Sequence, residues 1–249
     1  MGNKEYQYDY SAIEPEMSDS PKREQKGRKI LSVLSDYYGG GLSGLSLLDV
    51  GCSMGFIANL LAGSFGRVVG ADIDEKDIAH AAASFKAPNL NFELQDGIKL
   101  GFADASFDVV VCNHVYEHVP DRAALFSEIR RVLKPGGVCY LAAANRLVLI
   151  EPHHRLPLLS WLPKPLAHLY VRAFGKGGSY YENLLTLRGI RRMASSFSVV
   201  DYTGKILADP VKYSATEMVT PGSFSQAAAL FLFRYFYWLM PTYIWLLKK

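Results

Sequence analysis

The chain has 249 residues, a net charge of +3 and an apolar fraction of 49%. That length allows one large domain, or one domain with insertions, whose core needs neither disulfide nor metal. The charge is too small to point to nucleic acid, and three cysteines without a C-x-x-C pair argue for free thiols in a reducing compartment. Residues 1–25 are polar and read as an arm, without the apolar stretch of a secretory signal. Its Met-Gly start does not complete a myristoylation pattern, because Tyr6 stands where Ser or Thr is needed.

From residue 26 onward one domain is expected. "GRKILSVLSDYYGG" predicts a short helix closed by glycines. "SLLDVG" and "RVVGAD" predict two apolar strands, each followed by a helix, "FIANLLAGS" and "EKDIAHAAASF". "LNFELQD" predicts a third strand and "FDVVVCN" a fourth, apolar throughout, as a strand buried on both faces should be. "RAALFSEIRRVL" is an amphipathic helix, "KPGG" a turn and "VCYLAAA" a fifth strand. Strands alternating with helices indicate an α/β fold with a parallel sheet and right-handed crossovers. The regularity breaks after Asn145, where a proline-rich segment of about 147–182 reads as an inserted cap. "ENLLTLRGIRRMASS" returns to helix and "FSVVDYTG" to strand, and a second, apolar helical insertion spans about 208–240. "PTYIWLLKK" closes the chain as a strand.

"LLDVGCSMG" places Gly51 and Gly55 where the first strand meets the first helix, with neither the G-x-G-x-x-G nor the P-loop spacing. Asp72 ends the second strand about 20 residues on, where an acid suits a ribose diol. Asp96 follows the third strand, where a carboxylate can accept a hydrogen bond from an exocyclic amine. Asp49, Asp72 and Asp96 thus lie at the strand ends where open α/β sheets bind ligands.

Together "LLDVGCSMGFIANLLA", "VVGADIDEKDIAHA", "LQDGIKLGFADASFDVVVCNHVYEHVPD" and "EIRRVLKPGGVCYLAAANR" resemble the class I methyltransferases that use S-adenosylmethionine, nearest the subgroup of small-molecule and quinone-pathway enzymes. The resemblance covers about 47–146 and resumes near both later strands. It implies a Rossmann-like, doubly wound sheet of seven strands whose last strand is antiparallel, with an inserted helical cap. It implies that Gly51, Cys52, Ser53 and Gly55 line the methionine end of S-adenosyl-L-methionine, with Asp49 near its amino group. Asp72 and Ile73 would hold the ribose, Asp96 and Gly97 the adenine, and Asn113 and His114 would lie under the sulfonium. Cys52, Ser53 and Met54 depart from the pattern, which commonly has a third glycine there.

"NHVYEHV" also matches H-x-x-E-H, a zinc-peptidase motif that requires a helix. Here the string follows a buried strand, so a peptidase is not expected. Three readings stay open. His114, Tyr116 and His118 could serve catalysis at an acceptor pocket, a histidine taking the proton of a hydroxyl. Glu117 and His118 could anchor the next helix. His114, Glu117 and His118 could bind a metal, but His114 stands where related metal-binding enzymes carry a glutamate, and magnesium prefers oxygen; no metal is expected. In the cap, His153, His154, Arg155 and Tyr170 are candidate acceptor contacts.

The expected activity is methylation of a small or lipid-like acceptor, at oxygen, by in-line transfer. Two other readings are a protein or RNA methyltransferase, and a nucleoside-binding, non-catalytic assembly factor at a membrane. No nucleic-acid partner is expected, and a homodimer is allowed. The stretch 227–247 has Arg234 as its only charge and is long enough to span a bilayer were it not for Pro241. It suggests peripheral contact with the inner face of the membrane by an otherwise cytoplasmic protein.

Overall fold

The computed structural model describes residues 19–151 and 153–249. The polar arm up to residue 18 lies outside the described residues. Helix α1, Ser20–Tyr38, starts earlier than the sequence reading placed it. Asp19 caps it by accepting from the Lys22 N–H, a proline follows in the first turn, and Gly39 closes it at φ 65°. Its buried face is Arg23, Gly27, Ile30, Val33 and Leu34. A Cβ at position 27 would meet Leu60 at 3.4 Å, in α2, Phe56–Ala62, so the glycine suits the close helix pair.

The sheet strands are β1 Ser46–Val50, β2 Arg67–Asp72, β3 Leu90–Leu94, β4 Phe107–Asn113 and β5 Leu133–Ala144. Helix α3, Glu75–Ser84, joins β2 to β3, and α4, Arg122–Val132, joins β4 to β5. A short hairpin, β6 Ile150–Glu151 with β7 Leu156–Pro157, and helix α5, Lys164–Ala173, lie in the cap. Then come α6 Leu187–Met193, β8 Ser198–Asp201, α7 Thr203–Ala208, α8 Phe224–Tyr235 and β9 Thr242–Lys248.

The order across the 7-stranded sheet is β3-β2-β1-β4-β5-β9-β8. All neighbours from β3 to β5 pair parallel, and β9 runs antiparallel to both β5 and β8. This is the doubly wound, Rossmann-like sheet that the resemblance implied. Its direction changes between β1 and β4, which opens a crevice at the carboxyl ends of those strands. Both faces are covered. Leu48, Val50, Val110, Cys112 and Trp245 feed one core, and Leu47, Val109, Val111, Ile244 and Leu246 the other. Alternation therefore sorts these strands between two cores, each large side chain contributing about 1.5–3 kcal/mol. Cys52, Cys112 and Cys139 are all free and buried.

Two expectations are corrected. "KPGG" is not a separate turn. It lies inside β5, where the register against β4 shifts between Phe107 and Val109. Gly136 has φ 78°, and a Cβ at position 137 would sit 2.8 Å from the Asp108 carbonyl. The C-terminal apolar stretch is not a membrane-contacting segment either. Among the described residues no helix is long and apolar enough to cross a membrane. The stretch divides into α8, a turn at Tyr237–Leu239, and β9, which is buried between β5 and β8. Its hydropathy is that of a central strand plus a helix whose Leu230, Leu232 and Phe233 pack on the core.

Candidate functional site

The turn after β1 is built by positive φ angles: 72° at Gly51, 49° at Ser53 and 83° at Gly55. A Cβ at Gly51 would lie 2.7 Å from Val115, and one at Gly55 would lie 2.7 Å from Phe92 and 2.8 Å from Ala81. Both glycines serve backbone geometry and close packing at once. Gly70, in β2, belongs to the same cradle: its Cβ would meet Phe92 at 2.7 Å and the Cys52 sulfur at 3.0 Å. Gly51→Ala is expected to destabilise the fold by about 1–3 kcal/mol through the left-handed backbone and the Val115 contact. Denaturant unfolding measures this; an unchanged midpoint would mean the turn relaxes freely.

The turn is tied to the end of β2. Asp72 accepts from the Ser53 N–H at 2.7 Å and the Asp74 N–H at 3.0 Å, and the Ser53 hydroxyl donates to Asp77 at 2.8 Å. Burial raises the Asp72 pKa against the pull of those backbone donors. Asp49 is 2% exposed, and its Oδ2 accepts no hydrogen bond. Burial pushes it up to about 7, with Arg23 of α1 pulling it down and Asp72 adding to the rise. Arg23, buried in α1 and near enough for its charge to act on Asp49, is a residue the sequence reading missed. Asp96 accepts from the Ile98 N–H at 3.0 Å, and a Cβ at Gly97 would meet Leu125 at 3.2 Å. Ile73 is half-buried beside Asp72.

At the end of β4, Asn113 is half-buried and His114 takes φ 58°, rare for a residue with a Cβ. The His114 backbone donates to the Ala142 carbonyl, and its Nδ1 lies 3.3 Å from Glu117 Oε1. Glu117 is fully buried, and its Oε2 has no hydrogen-bond partner. Burial would raise Glu117, but the His114 hydrogen bond and charge, with His118, lower it overall. Burial lowers His118, against the pull of Glu117.

Tyr116, a catalytic candidate in the sequence, has its hydroxyl engaged in structural hydrogen bonds. It is 0% exposed, its hydroxyl donates to the Ala144 carbonyl at 2.5 Å, and it accepts from the Leu185 N–H at 3.1 Å. Burial pushes its phenol well above the usual range.

The cap adds carboxylates that the sequence reading did not single out. His153 Nδ1 lies 2.6 Å from Glu151 Oε1, and the His118 and His153 rings meet edge-on at 5.5 Å. Burial works against charge on His153, yet Glu151 raises it to about 9. His154 Nε2 is 3.7 Å from Glu182, an ion-pair distance too long for a hydrogen bond. Burial would raise Glu182, but His154 and His153 hold it at about 2. Glu182 raises His154 in return. Of the other cap candidates, Arg155 is exposed, and Tyr170 packs against Phe174 and the small cap core. The structure thus brings His153 to His118 and places Tyr170 in the small cap core instead. Among the described residues no group of three His, Cys, Asp or Glu could hold a metal ion. Beside the root of the cap opens a cleft of about 310 Å³, lined by Leu147, Thr186, Leu187, Arg188, Arg191 and Trp238.

Comparison with known proteins converges on these strands. The family described as "Methyltransferase domain" matches residues 48–141. A probable S-adenosylmethionine-dependent methyltransferase of Mycolicibacterium smegmatis is 39% identical over 116 residues, 47% of this chain and 44% of that protein. A ubiquinone biosynthesis O-methyltransferase of Rhizobium johnstonii is 30% identical over 173 residues, 66% of this chain and 64% of that protein. The chain therefore spans between 44% and 64% of the length of these two relatives. Among solved structures, an S-adenosylmethionine-dependent methyltransferase from Mesorhizobium loti shares the fold, with a TM-score of 0.52 and 18% identity over 84% of this chain and 92% of that one.

Proposed function

We propose that the chain, similar over its sheet to class I S-adenosylmethionine-dependent methyltransferases, methylates a small or lipid-like acceptor at a hydroxyl oxygen. The observation that carries this reading is the glycine turn with Asp49 and Asp72 beside it. Its close-packed glycines leave no room for added Cβ atoms, and the buried Asp49 Oδ2 lacks a donor that a ligand ammonium would supply. These features fit the cofactor. Gly51, Cys52, Ser53 and Gly55 would line its methionine end, Asp49 would meet the ammonium, and Asp72 with Ile73 the ribose. Asp96 and Gly97 would flank the adenine, and Asn113 and His114 the sulfonium end.

When bound, the cofactor supplies a methyl group on a cationic sulfur. The protein's part is to orient the acceptor, exclude water and remove a proton from the hydroxyl. His114 would stand at the reacting end, with His153 of the cap meeting its neighbour His118. The Rhizobium relative's name supports oxygen as the methylated atom. Leu147, Leu187 and Trp238 in the cleft at the cap root support a lipid-like acceptor, with Arg188 and Arg191 suited to an anionic group on it.

Calorimetric titration with S-adenosylhomocysteine, on metal-stripped protein, tests the cofactor site. Micromolar binding is expected, and Asp72→Ala should weaken it by about 1.5–3 kcal/mol, the range for charge-assisted hydrogen bonds. Absence of binding, with or without added magnesium or zinc, would remove the reading. Turnover of a farnesylated catechol tests the acceptor class, and methylation confined to water-soluble metabolites would overturn the lipid-like assignment.

A further inference from the structure

Acid and imidazole groups from the end of β4 and from the cap lie close together in a series. His114 Nδ1 lies 3.3 Å from Glu117 Oε1. Glu117 is followed directly by His118, whose ring meets that of His153 edge-on at 5.5 Å. His153 Nδ1 is 2.6 Å from Glu151, whose second oxygen accepts from the His154 N–H at 2.7 Å. Glu117 and Glu151 side chains are 0% exposed, and water reaches the series at His114 and His153, which are 34% and 15% exposed. Two chain segments contribute, one at the end of β4 and one in the cap.

A helix anchor alone does not account for this arrangement. An anchor needs satisfied groups, yet Glu117 keeps a buried oxygen without a partner, an expensive state in a resting core. Nor does a fastener for the cap require an imidazole pair facing each other between two buried carboxylates.

We propose that Glu117, His118, His153 and Glu151 form a proton relay that carries the acceptor's hydroxyl proton from the end of β4 to His153, the part-exposed ring in the cap. This rests on the hydroxyl reading given above. Methylation of a neutral hydroxyl forms an O–C bond and breaks the donor's S–C bond, with the electron pair staying on sulfur. One proton leaves the oxygen. It passes through His114 to Glu117 and His118, while His153, protonated at rest, releases one to water. His118 then passes its proton across the ring contact to the emptied His153, which returns both imidazoles to their resting states. The charged and titratable groups facing His153 include Glu151 beside it in the cap, Glu117 and His118 after β4, and Glu182 in the strap, residues 174–186, that returns from the cap to α6. Lys164, at the start of α5, faces Glu182 and Glu151. His118 is uncharged at neutral pH, since burial lowers its pKa, and can accept the proton. His153, Glu151 and His118 act through His114 and are positioning residues.

Two measurements on the full chain test this. In the first, wild type and His153→Gln are compared on a farnesylated catechol and on its nitro derivative, whose first hydroxyl is ionised at the assay pH. The variant is expected to lose about 100-fold in kcat on the plain catechol, with KM unchanged and an altered pH profile. On the ionised acceptor it should stay within about 3-fold of wild type. Equal losses on both acceptors would overturn the relay and leave His153 as a fastener of the cap. Wild type that binds S-adenosylhomocysteine but turns over neither catechol would remove the hydroxyl reading, and the relay with it. The second measurement needs no turnover. Histidine-ring nitrogen NMR should show His153 protonated until about pH 9, and the Glu151→Gln variant should lower that titration. An unshifted His153 titration would break the proposed link between the two.

Discussion

Asp49→Asn is expected to make the unliganded protein more resistant to unfolding at pH 8 than at pH 5, relative to wild type, and to bind S-adenosylhomocysteine 10- to 100-fold more weakly, about 1.5–3 kcal/mol. The Asp49 carboxyl is raised from 3.8 to about 7 by burial. A group whose folded pKa lies above its unfolded value stabilises fully below the unfolded pKa. That stabilisation is lost as pH rises through the folded pKa. Wild type should therefore lose stability from this group between pH 4 and pH 7, and the asparagine variant should not. Linkage puts the difference at about 2–3 kcal/mol between pH 5 and pH 8. Denaturant unfolding of both proteins across that range measures it, and a gap that does not change with pH would show that Asp49 stays ionised throughout. The binding loss has the opposite sense. A ligand ammonium favours the ionised carboxylate, so affinity in wild type should rise with pH through about 7 and that rise should vanish in the variant. The residue costs the empty fold stability because the occupied fold uses its charge.

The parts of this protein that were legible in sequence are those whose cause is local. Gly51 and Gly55 mark a turn because only a few residues decide its φ angles. Asp72 falls at a strand end because β2 is a short apolar run with a clear stop. The order of strands and helices follows from alternating period and turn residues, and the direction of β9 followed only from the resemblance. What was not legible depends on partners far along the chain. Glu182 gains meaning only when the cap brings it to His154, and Arg23 only when α1 is buried with its charge acting on Asp49. The start of α1 was hidden by composition: Asp19 and the following proline cap a helix whose first turns are mostly charged. The C-terminal stretch shows the limit of hydropathy, which scores a strand enclosed by two others much as it scores a segment in lipid.

Tyr116 marks the same limit inside the H-x-x-E-H string, and Tyr116→Phe is expected to lower stability by about 2–4 kcal/mol. The substitution keeps the buried ring and deletes only the hydroxyl. That hydroxyl donates to Ala144 at the end of β5 and supplies an acceptor to the Leu185 N–H. Without it, a buried donor on the strap returning from the cap is left unpaired, and each such loss costs about 1–3 kcal/mol. For a chain of this length the midpoint of thermal unfolding should fall by roughly 5–12 °C. The strap also pairs with the sheet end through Asn145 and Leu185, and the Arg146 N–H donates to the Leu185 carbonyl. Loosening it should raise KM for the acceptor, because the strap leads into α6 and the cleft beside Leu147. Affinity for S-adenosylhomocysteine should change by less than about 3-fold, since the β1 turn and Asp72 lie on the other side of β4. A phenol that took part in transfer would give the reverse pattern: unchanged melting, unchanged KM and a fall in kcat. Thermal unfolding and steady-state kinetics on one variant thus separate a hydroxyl that ties the cap strap to the sheet from one that faces the reaction.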